Sequence, residues 1–274
     1  MNPLVRKNRK AVVITVFGKG TGKSLISAVL SRYLTRNGKK SAIILSTDIQ
    51  IPMLSVFYPR ERTLREDSLG NITDSAVIDN GIVAPHVKFT RKFPNIGVLA
   101  YAPGDNYTMY APFSEKKAID IINCAANLSS ESADFLIVDT TSDVTNTFVR
   151  AAVEAADIVI YTIPPEERGI AYTKANLELF NNERYHESQW INVLTGLRPF
   201  HSTSAFNSII PEGVDSTFPY SKDMEKAMVD GDIFDAGDSM LKWHLDFCRK
   251  VEEAADKAAS TKDNNTVEIK MKEE

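Results

Sequence analysis

Short runs of apolar, often β-branched residues alternate with amphipathic stretches along most of the chain. The runs that predict strands buried on both faces of a parallel sheet are residues 11–17, 41–47, 96–101, 135–138, 158–163 and 190–194. The stretches with apolar residues at helical spacing, which predict helices, are 24–37, 114–128, 147–156, 169–181, 222–230 and about 238–259. Residues 51–92 are less regular and predict helices and loops over one edge. The alternation predicts an α/β fold with a doubly wound, mostly parallel sheet and helices on both faces.

Composition excludes several classes of protein. The chain has 274 residues, of which 43% are hydrophobic and 25% charged, with a formal net charge of −4. These values are ordinary for a globular protein and argue against a broadly basic, nucleic-acid-coating surface. No apolar run approaches the ~18 residues of a membrane span, and the basic N-terminus lacks a secretory signal. We therefore expect a cytoplasmic protein.

Charge and polarity divide the chain into three parts. Residues 1–10 form a basic N-terminal arm, residues 11–259 a single domain, and residues 260–274 a polar tail expected to be disordered. The tail shows no apolar face of the kind that binds membranes, so direct membrane binding is not favoured. The two cysteines, Cys124 and Cys248, are too far apart in sequence to form a local metal or redox pair.

A glycine-rich segment, Gly18 to Ser24, stands between the first predicted strand and the first predicted helix. Backbone N–H groups in such a loop, together with the helix N-terminus, bind phosphate groups. Lys23 would reach the β- and γ-phosphates, and the Ser24 hydroxyl would bind Mg²⁺. The usual pattern G-x-x-x-x-G-K-[ST] fails at its first position, where the chain has Phe17. The predicted nucleotide-binding residues here are Gly18, Lys19, Gly20, Thr21, Gly22, Lys23, Ser24 and Leu25.

The loop resembles K-G-G-x-G-K-[ST], the motif of the ParA/MinD family of deviant Walker A P-loop ATPases. The resemblance implies that residues 11–259 are a P-loop ATPase domain. Other segments extend the resemblance over about residues 10–250: Asp48 and Gln50 after the second strand, Asp139 after FLIV, and the motifs that begin at Phe93, Ala155 and Phe218. The family's signature lysine aligns without gaps to Gly18, whereas deleting one glycine aligns it to Lys19. Both alignments stay open, and the gapless one is preferred.

The resemblance implies roles for individual residues. Asp48 would orient the attacking water and act with Lys23 in catalysis, while Asp139 and Ser24 would hold Mg²⁺. Asn192 would contact the adenine, with Thr195 as the alternative, and Pro219 and Tyr220 would border it. The prolines that usually follow the strand-end acid in this family are replaced by Thr140 to Asp143.

Two functions remain as hypotheses. In the first, the chain binds ATP and Mg²⁺, forms an ATP-dependent homodimer and positions a cargo, either DNA in partitioning or a division, pilus or conjugation machine. A partner protein would stimulate its slow hydrolysis, and DNA contact through a surface patch is an open possibility. In the second, the altered loop marks a nucleotide-binding scaffold with little or no turnover, as in some pilus-localisation relatives. Metal insertion and iron–sulfur chemistry lack the paired thiols they require.

Overall fold

The computed structural model describes residues 11–20, 22–58, 64–128, 134–180, 185, 188–201, 203, 206, 210, 213–230, 233–234, 241–242 and 244–273. Of residue 177 and residues 263–273, only the backbone is described. The predicted basic arm, residues 1–10, lies outside these ranges.

The described strands are β1 (Val12–Gly18), β2 (Ala42–Ser46), β3 (Lys88–Phe89), β4 (Ile96–Ala100), β5 (Phe135–Asp139), β6 (Ile158–Ile163), β7 (Gln189–Leu197) and β8 (Ser216–Pro219). The described helices are α1 (Lys23–Leu34), α2 (Leu54–Phe57), α3 (Leu69–Asp74), α4 (Asn80–Val83), α5 (Glu115–Asn127), α6 (Thr147–Ala155), α7 (Glu167–Asn176), α8 (Lys222–Asp230) and α9 (Leu245–Glu273). Short 3₁₀ turns cover Arg65–Asp67, Ala84–His86 and Leu177–Phe180.

These strands form one sheet in the order β3-β4-β2-β5-β1-β6-β7-β8. Every pairing is parallel except that of β3 with β4. The chain leaves central β1 toward β2 and β4, returns through β5, and then continues on the other side through β6, β7 and β8. The predicted α/β fold with a doubly wound, mostly parallel sheet is therefore confirmed.

Helices cover both faces of the sheet, because alternate side chains of each strand point to opposite sides. On one face, Val13 and Val138 pack among residues of α5 and α6. On the other face, Ile14 and Ile137 pack among residues of α1 and α9. The strands are buried on both sides, which explains their unbroken apolar sequences.

Two strands were not predicted from the sequence, and both lie at an edge of the sheet. β3 has only two residues, and Phe89 is exposed. β8 ends at Pro219, which has no N–H to give to a further strand. Neither strand carries the apolar run that marks a strand buried on both faces, so its sequence does not identify it as a strand.

The C-terminal segment differs from the expectation of a disordered tail. Helix α9 continues to Glu273, past the predicted end at about Ala259. No glycine or proline interrupts residues 245–273. Lys262 Nζ also hydrogen-bonds the Ala11 carbonyl at 2.8 Å and Asp157 Oδ2 at 2.6 Å, which attaches the extension to the sheet. Within the described residues, no helix combines the length and apolarity needed to cross a bilayer.

Candidate functional site

The candidate site lies at the carboxyl ends of three neighbouring strands, β1, β5 and β2. In register, Asp139 at the end of β5 pairs with Val16 of β1 on one side and with Ser46 of β2 on the other. The loops that follow these strands therefore meet at one edge of the sheet. In doubly wound folds this edge, near the central strand, is where ligands bind.

The phosphate loop joins β1 to α1 at this edge. Gly22, in the left-handed region with φ 112°, caps the helix, and no side chain of the described residues accepts a hydrogen bond from the N-terminal N–H groups. Within the helix, the Ile26 N–H bonds back to the Gly22 carbonyl at 2.8 Å. The earlier N–H groups have no intrahelical partner, so they and the helix dipole can hold an anion. Thr21, also predicted for this loop, lies outside the described residues.

Leu25 is the last of the predicted nucleotide-binding residues of this loop, and its side chain packs against the protein interior. It is half-buried and contacts two apolar clusters beneath the loop. Only the backbone of Leu25, in the first turn of α1, is placed to face a phosphate.

Ser24 and Asp139 come together, as the magnesium prediction requires. The Ser24 hydroxyl donates to Asp139 Oδ2 at 2.7 Å, and the Ser46 hydroxyl donates to the same oxygen at 3.3 Å. Burial raises the pKa of Asp139 to about 6, although the hydrogen bond from Ser24 and the charge of Lys23 oppose the rise. A hydroxyl beside a carboxylate at a phosphate loop is a donor set suited to Mg²⁺, which takes few protein oxygens and shares phosphate oxygens. These residues fit the expected ion.

Lys23 extends across the loop toward the segment after β5. Its Nζ lies 3.0 Å from Ser142 Oγ and 3.4 Å from the Gly20 carbonyl oxygen. Burial lowers the pKa of Lys23, and the carboxylates of Asp139 and Asp48 partly offset this. A half-buried ammonium group whose charge is only partly balanced is suited to bind a phosphate.

Asp48 follows β2 and is half-buried at the same edge. Its Oδ1 accepts the Gln50 N–H at 2.9 Å and the Ile51 N–H at 3.3 Å, which orients the carboxylate. Asp48 is close enough to raise the pKa of both Lys23 and Asp139. The structure thus brings the two predicted catalytic residues and the two predicted metal ligands together.

Lys19 differs from Lys23 in being exposed. Its Nζ lies 5.9 Å from the centre of the Tyr172 ring, a cation–π contact with α7 of the same chain.

The two candidates for adenine contact are placed differently on β7. Asn192 lies inside the strand, and its amide Nδ2 donates to the Gly213 carbonyl at 3.1 Å. Thr195 lies nearer the carboxyl end, and its buried hydroxyl has no hydrogen-bond partner among the described residues. Both residues stay predictions for the adenine contact: Asn192 gives one amide N–H to the segment that leads to β8, and no partner is described for the Thr195 hydroxyl.

Pro219 and Tyr220, which are predicted to border the adenine, lie beside the end of β7. The Tyr220 N–H donates to the Leu197 carbonyl at 2.9 Å, and the Tyr220 hydroxyl donates to Glu225. The Arg198 guanidinium lies 4.8 Å from the centre of the Tyr220 ring. With adjacent parallel strands about 4.8 Å apart, these residues are two to three strands from the phosphate loop, a span that suits the base of a nucleotide.

Sequence reasoning missed two contributors to the site. Ser46 is the last residue of β2, and Ser142 lies in the segment Thr140 to Asp143, which lacks the family's prolines. Both positions adjoin the end of a predicted strand, and that proximity was the available signal. Tyr172, whose hydroxyl bonds the Ser142 carbonyl, had no such signal because the two residues are 30 positions apart.

The raised pKa of Asp139 predicts that Asp139→Asn stabilises the protein. The folded chain holds the Asp139 proton more tightly than the unfolded chain, so this group contributes most stability at low pH and loses it as the pH rises through about 6. At pH 7 in EDTA we expect urea denaturation to give a gain of about 1–3 kcal/mol, which disappears near pH 4.

The difference between the variant and the wild type at each pH isolates Asp139 from the other titrating groups. Asp143→Asn, on the exposed part of the same loop, is the matched control and should change stability little. A loss of stability in Asp139→Asn at pH 7, or a gain that does not depend on pH, would contradict the prediction.

Solved structures with the same fold are ATPases and division proteins. A ParA family ATPase from Chlorobium tepidum TLS superposes with a TM-score of 0.70 at 15% identity, covering 87% of this chain and 97% of that one. The MinC:MinD cell division protein complex of Aquifex aeolicus gives 0.70 at 14%, covering 89% and 96%. The septum site-determining protein MinD complexed with Mg-ADP, from Pyrococcus horikoshii OT3, gives 0.68 at 14%, covering 90% and 98%.

Neither a protein-family model nor a curated protein matches the chain by sequence. The structural similarity spans nearly the full length of each of these three neighbours. It establishes that the chain has the ParA/MinD fold.

Proposed function

We propose that this chain is an ATPase of the ParA/MinD type, which binds Mg·ATP and uses it to control homodimerisation. In the proposed cycle, ATP and Mg²⁺ order the loops that carry Asp48 and Asp139, and the ATP-bound form pairs with a second copy. Slow hydrolysis, stimulated by a partner protein, then separates the dimer.

The observation that carries the proposal is the contact between Ser24 Oγ and Asp139 Oδ2 at 2.7 Å. It joins the first turn of α1 to the end of β5, so the two predicted magnesium ligands lie beside the amino group of Lys23. A glycine-rich turn without a ligand would not need a buried carboxylate and a half-buried ammonium at its mouth, since burying charge is costly.

Each residue has a defined task in phosphoryl transfer. Bound Mg²⁺ would neutralise charge that develops on the phosphate oxygens. Ser24 and Asp139 would hold the ion, Lys23 would bind the β- and γ-phosphates, and Asp48 would orient the attacking water. The Asp48 carboxylate is ready for this task because the backbone N–H groups of Gln50 and Ile51 already fix one of its oxygens.

Asp48→Ala is expected to lower Mg·ATP turnover on the order of 100-fold while ATP affinity changes little. The reason is that Asp48 acts on the water rather than on the phosphates. Phosphate release measures turnover, and a titration with fluorescent nucleotide measures affinity. Because ATP then persists, size-exclusion chromatography of this variant should show an ATP-dependent dimer.

Asp79→Ala is a matched control, since Asp79 caps α4 through the same kind of contact, at 2.9 Å to the Ile82 N–H. It should keep wild-type turnover. If the wild type and Asp48→Ala had equal turnover, the proposal that the chain is an ATPase would be rejected. Binding without turnover would then support the alternative, a nucleotide-dependent scaffold. An unchanged elution volume with ATP would count against the dimer.

For the cargo, the proposal covers several alternatives. The neighbours include a ParA family ATPase and a MinD in complex with MinC, so DNA partitioning and the placement of a division, pilus or conjugation machine are all consistent with the fold. With a net charge of −4, DNA contact would require a local patch rather than the whole surface.

A further inference from the structure

Ser142, in the loop after β5, contacts the group that is proposed to bind phosphate. Its hydroxyl oxygen lies 3.0 Å from Lys23 Nζ and accepts one of the three ammonium hydrogens. Among the described contacts, none uses the hydroxyl hydrogen of Ser142 as a donor. A serine hydroxyl can donate and accept at once, so Ser142 can also donate to an anion that Lys23 binds.

The strand order places Ser142 on the side of the terminal phosphate. β5 lies between β1, which leads into the phosphate loop, and β2, which leads to Asp48. A group on the loop after β5 is therefore located between the phosphate loop and the residue proposed to orient the attacking water. That position corresponds to the γ-phosphate rather than to the phosphates nearer the ribose.

Tyr172 holds the backbone of Ser142 through a hydrogen bond. The Tyr172 hydroxyl donates to the Ser142 carbonyl at 2.6 Å. Burial raises the pKa of Tyr172, so the phenol keeps its hydrogen at neutral pH and remains a donor. The contact joins α7 to the loop after β5 and holds the loop backbone next to Lys23.

Helix α7, which carries Tyr172, packs against the phosphate loop. Gly169 packs so tightly on Pro164 that a Cβ there would lie 2.1 Å from the Pro164 carbonyl oxygen. The ring of Pro164 in turn faces Gly20, and Lys19 Nζ lies over the Tyr172 ring. Tyr172 therefore lies on a helix that contacts the phosphate loop both through Pro164 and through the Tyr172 ring itself.

We propose that Ser142 binds the terminal phosphate of ATP, and that Tyr172 is a positioning residue that acts through Ser142. This inference rests on the proposed function and adds a residue that distinguishes ATP from ADP. Because the contact is with the terminal phosphate, its loss should affect triphosphate binding and leave diphosphate binding nearly unchanged.

Calorimetric titration of the full chain with Mg·AMPPNP and Mg·ADP tests the inference. Ser142→Ala should weaken AMPPNP binding about 10-fold or more, the usual effect of losing a hydrogen bond to a charged group. ADP affinity should stay within about twofold, while Ser142→Thr, which keeps the hydroxyl, should restore most of the AMPPNP affinity. Tyr172→Phe should weaken AMPPNP binding about 3- to 10-fold, since it removes a neutral hydrogen bond and keeps the ring beneath Lys19.

The double variant should bind AMPPNP no more weakly than Ser142→Ala alone, because Tyr172 acts through Ser142. Ser188→Ala and Tyr110→Phe are matched controls, since each removes a buried or half-buried hydroxyl that donates outside the site, to the Ala156 carbonyl and to Asp105. Both should bind like the wild type.

Equal losses for ADP and AMPPNP, additive losses in the double variant, or no loss in Ser142→Ala would each overturn the inference while the proposed function stands. A wild-type chain that binds neither nucleotide would reject the proposed function, and this inference with it.

Discussion

Lys23→Ala is expected to weaken ATP binding at least about 100-fold, since a lysine at a phosphate loop makes two or more charged hydrogen bonds worth about 1.5–3 kcal/mol each. Burial lowers the pKa of Lys23, which indicates that the surroundings compensate its charge only in part. A phosphate would supply the missing negative charge. Titration with fluorescent nucleotide measures the affinity, and circular dichroism confirms that the variant is folded.

Lys19→Ala is the matched control for this prediction, because Lys19 is in the same loop but exposed. It should change ATP affinity less than about threefold, as expected of a surface charge. If Lys19 reaches across to a second copy, its loss should instead weaken ATP-dependent dimerisation. Equal losses of ATP affinity in the two variants would contradict the assignment of Lys23 as the phosphate-binding lysine.

Gly18→Ala is expected to lower the free energy of unfolding by about 2–5 kcal/mol, the sum of a left-handed backbone cost of about 1–2 kcal/mol and an overpacking cost of about 1–3 kcal/mol. Gly18 has φ 128°, and a Cβ there would lie 2.2 Å from the Thr162 carbonyl oxygen and 2.8 Å from the Thr162 nitrogen. Both atoms belong to the backbone of paired strand β6, so neither can rotate away. Urea denaturation measures the loss.

Gly38→Ala separates the two costs, because Gly38 has φ 66° and open space where a Cβ would stand. It should lose only the left-handed cost of about 1–2 kcal/mol. If the two variants lose the same stability, the close approach of β1 to β6 is not the reason that glycine occupies position 18.

The interior of the fold was predictable because burial is visible in the sequence. Strands such as β1 and β5 are buried on both faces, and each appears as an unbroken apolar run. The edge strand β3 carries no such run, since one of its sides faces solvent. The length of α9 was also not predictable, because its last part is polar and Lys262 reaches Asp157, a residue distant in sequence.

The residues of the candidate site were predictable in part. Lys23, Ser24, Asp48 and Asp139 all lie at or next to an end of a predicted strand or helix, where a parallel sheet collects its functional groups. Asn192 has a residue type suited to contact with adenine, and the structure adds that one of its amide N–H groups donates to the Gly213 carbonyl. The sequence could not indicate which hydrogen bonds such a side chain already makes.

The sequence alone determined the fold class, the phosphate loop and the carboxylates at the strand ends, because these follow from local apolar patterns and from spacing along the chain. The tertiary structure decided the contacts: Ser24 with Asp139, Lys23 with Ser142, and Ser142 with Tyr172. Each of these contacts joins segments separated by many residues. They depend on the order and register of the strands, which result from packing of the whole sheet and not from any one segment.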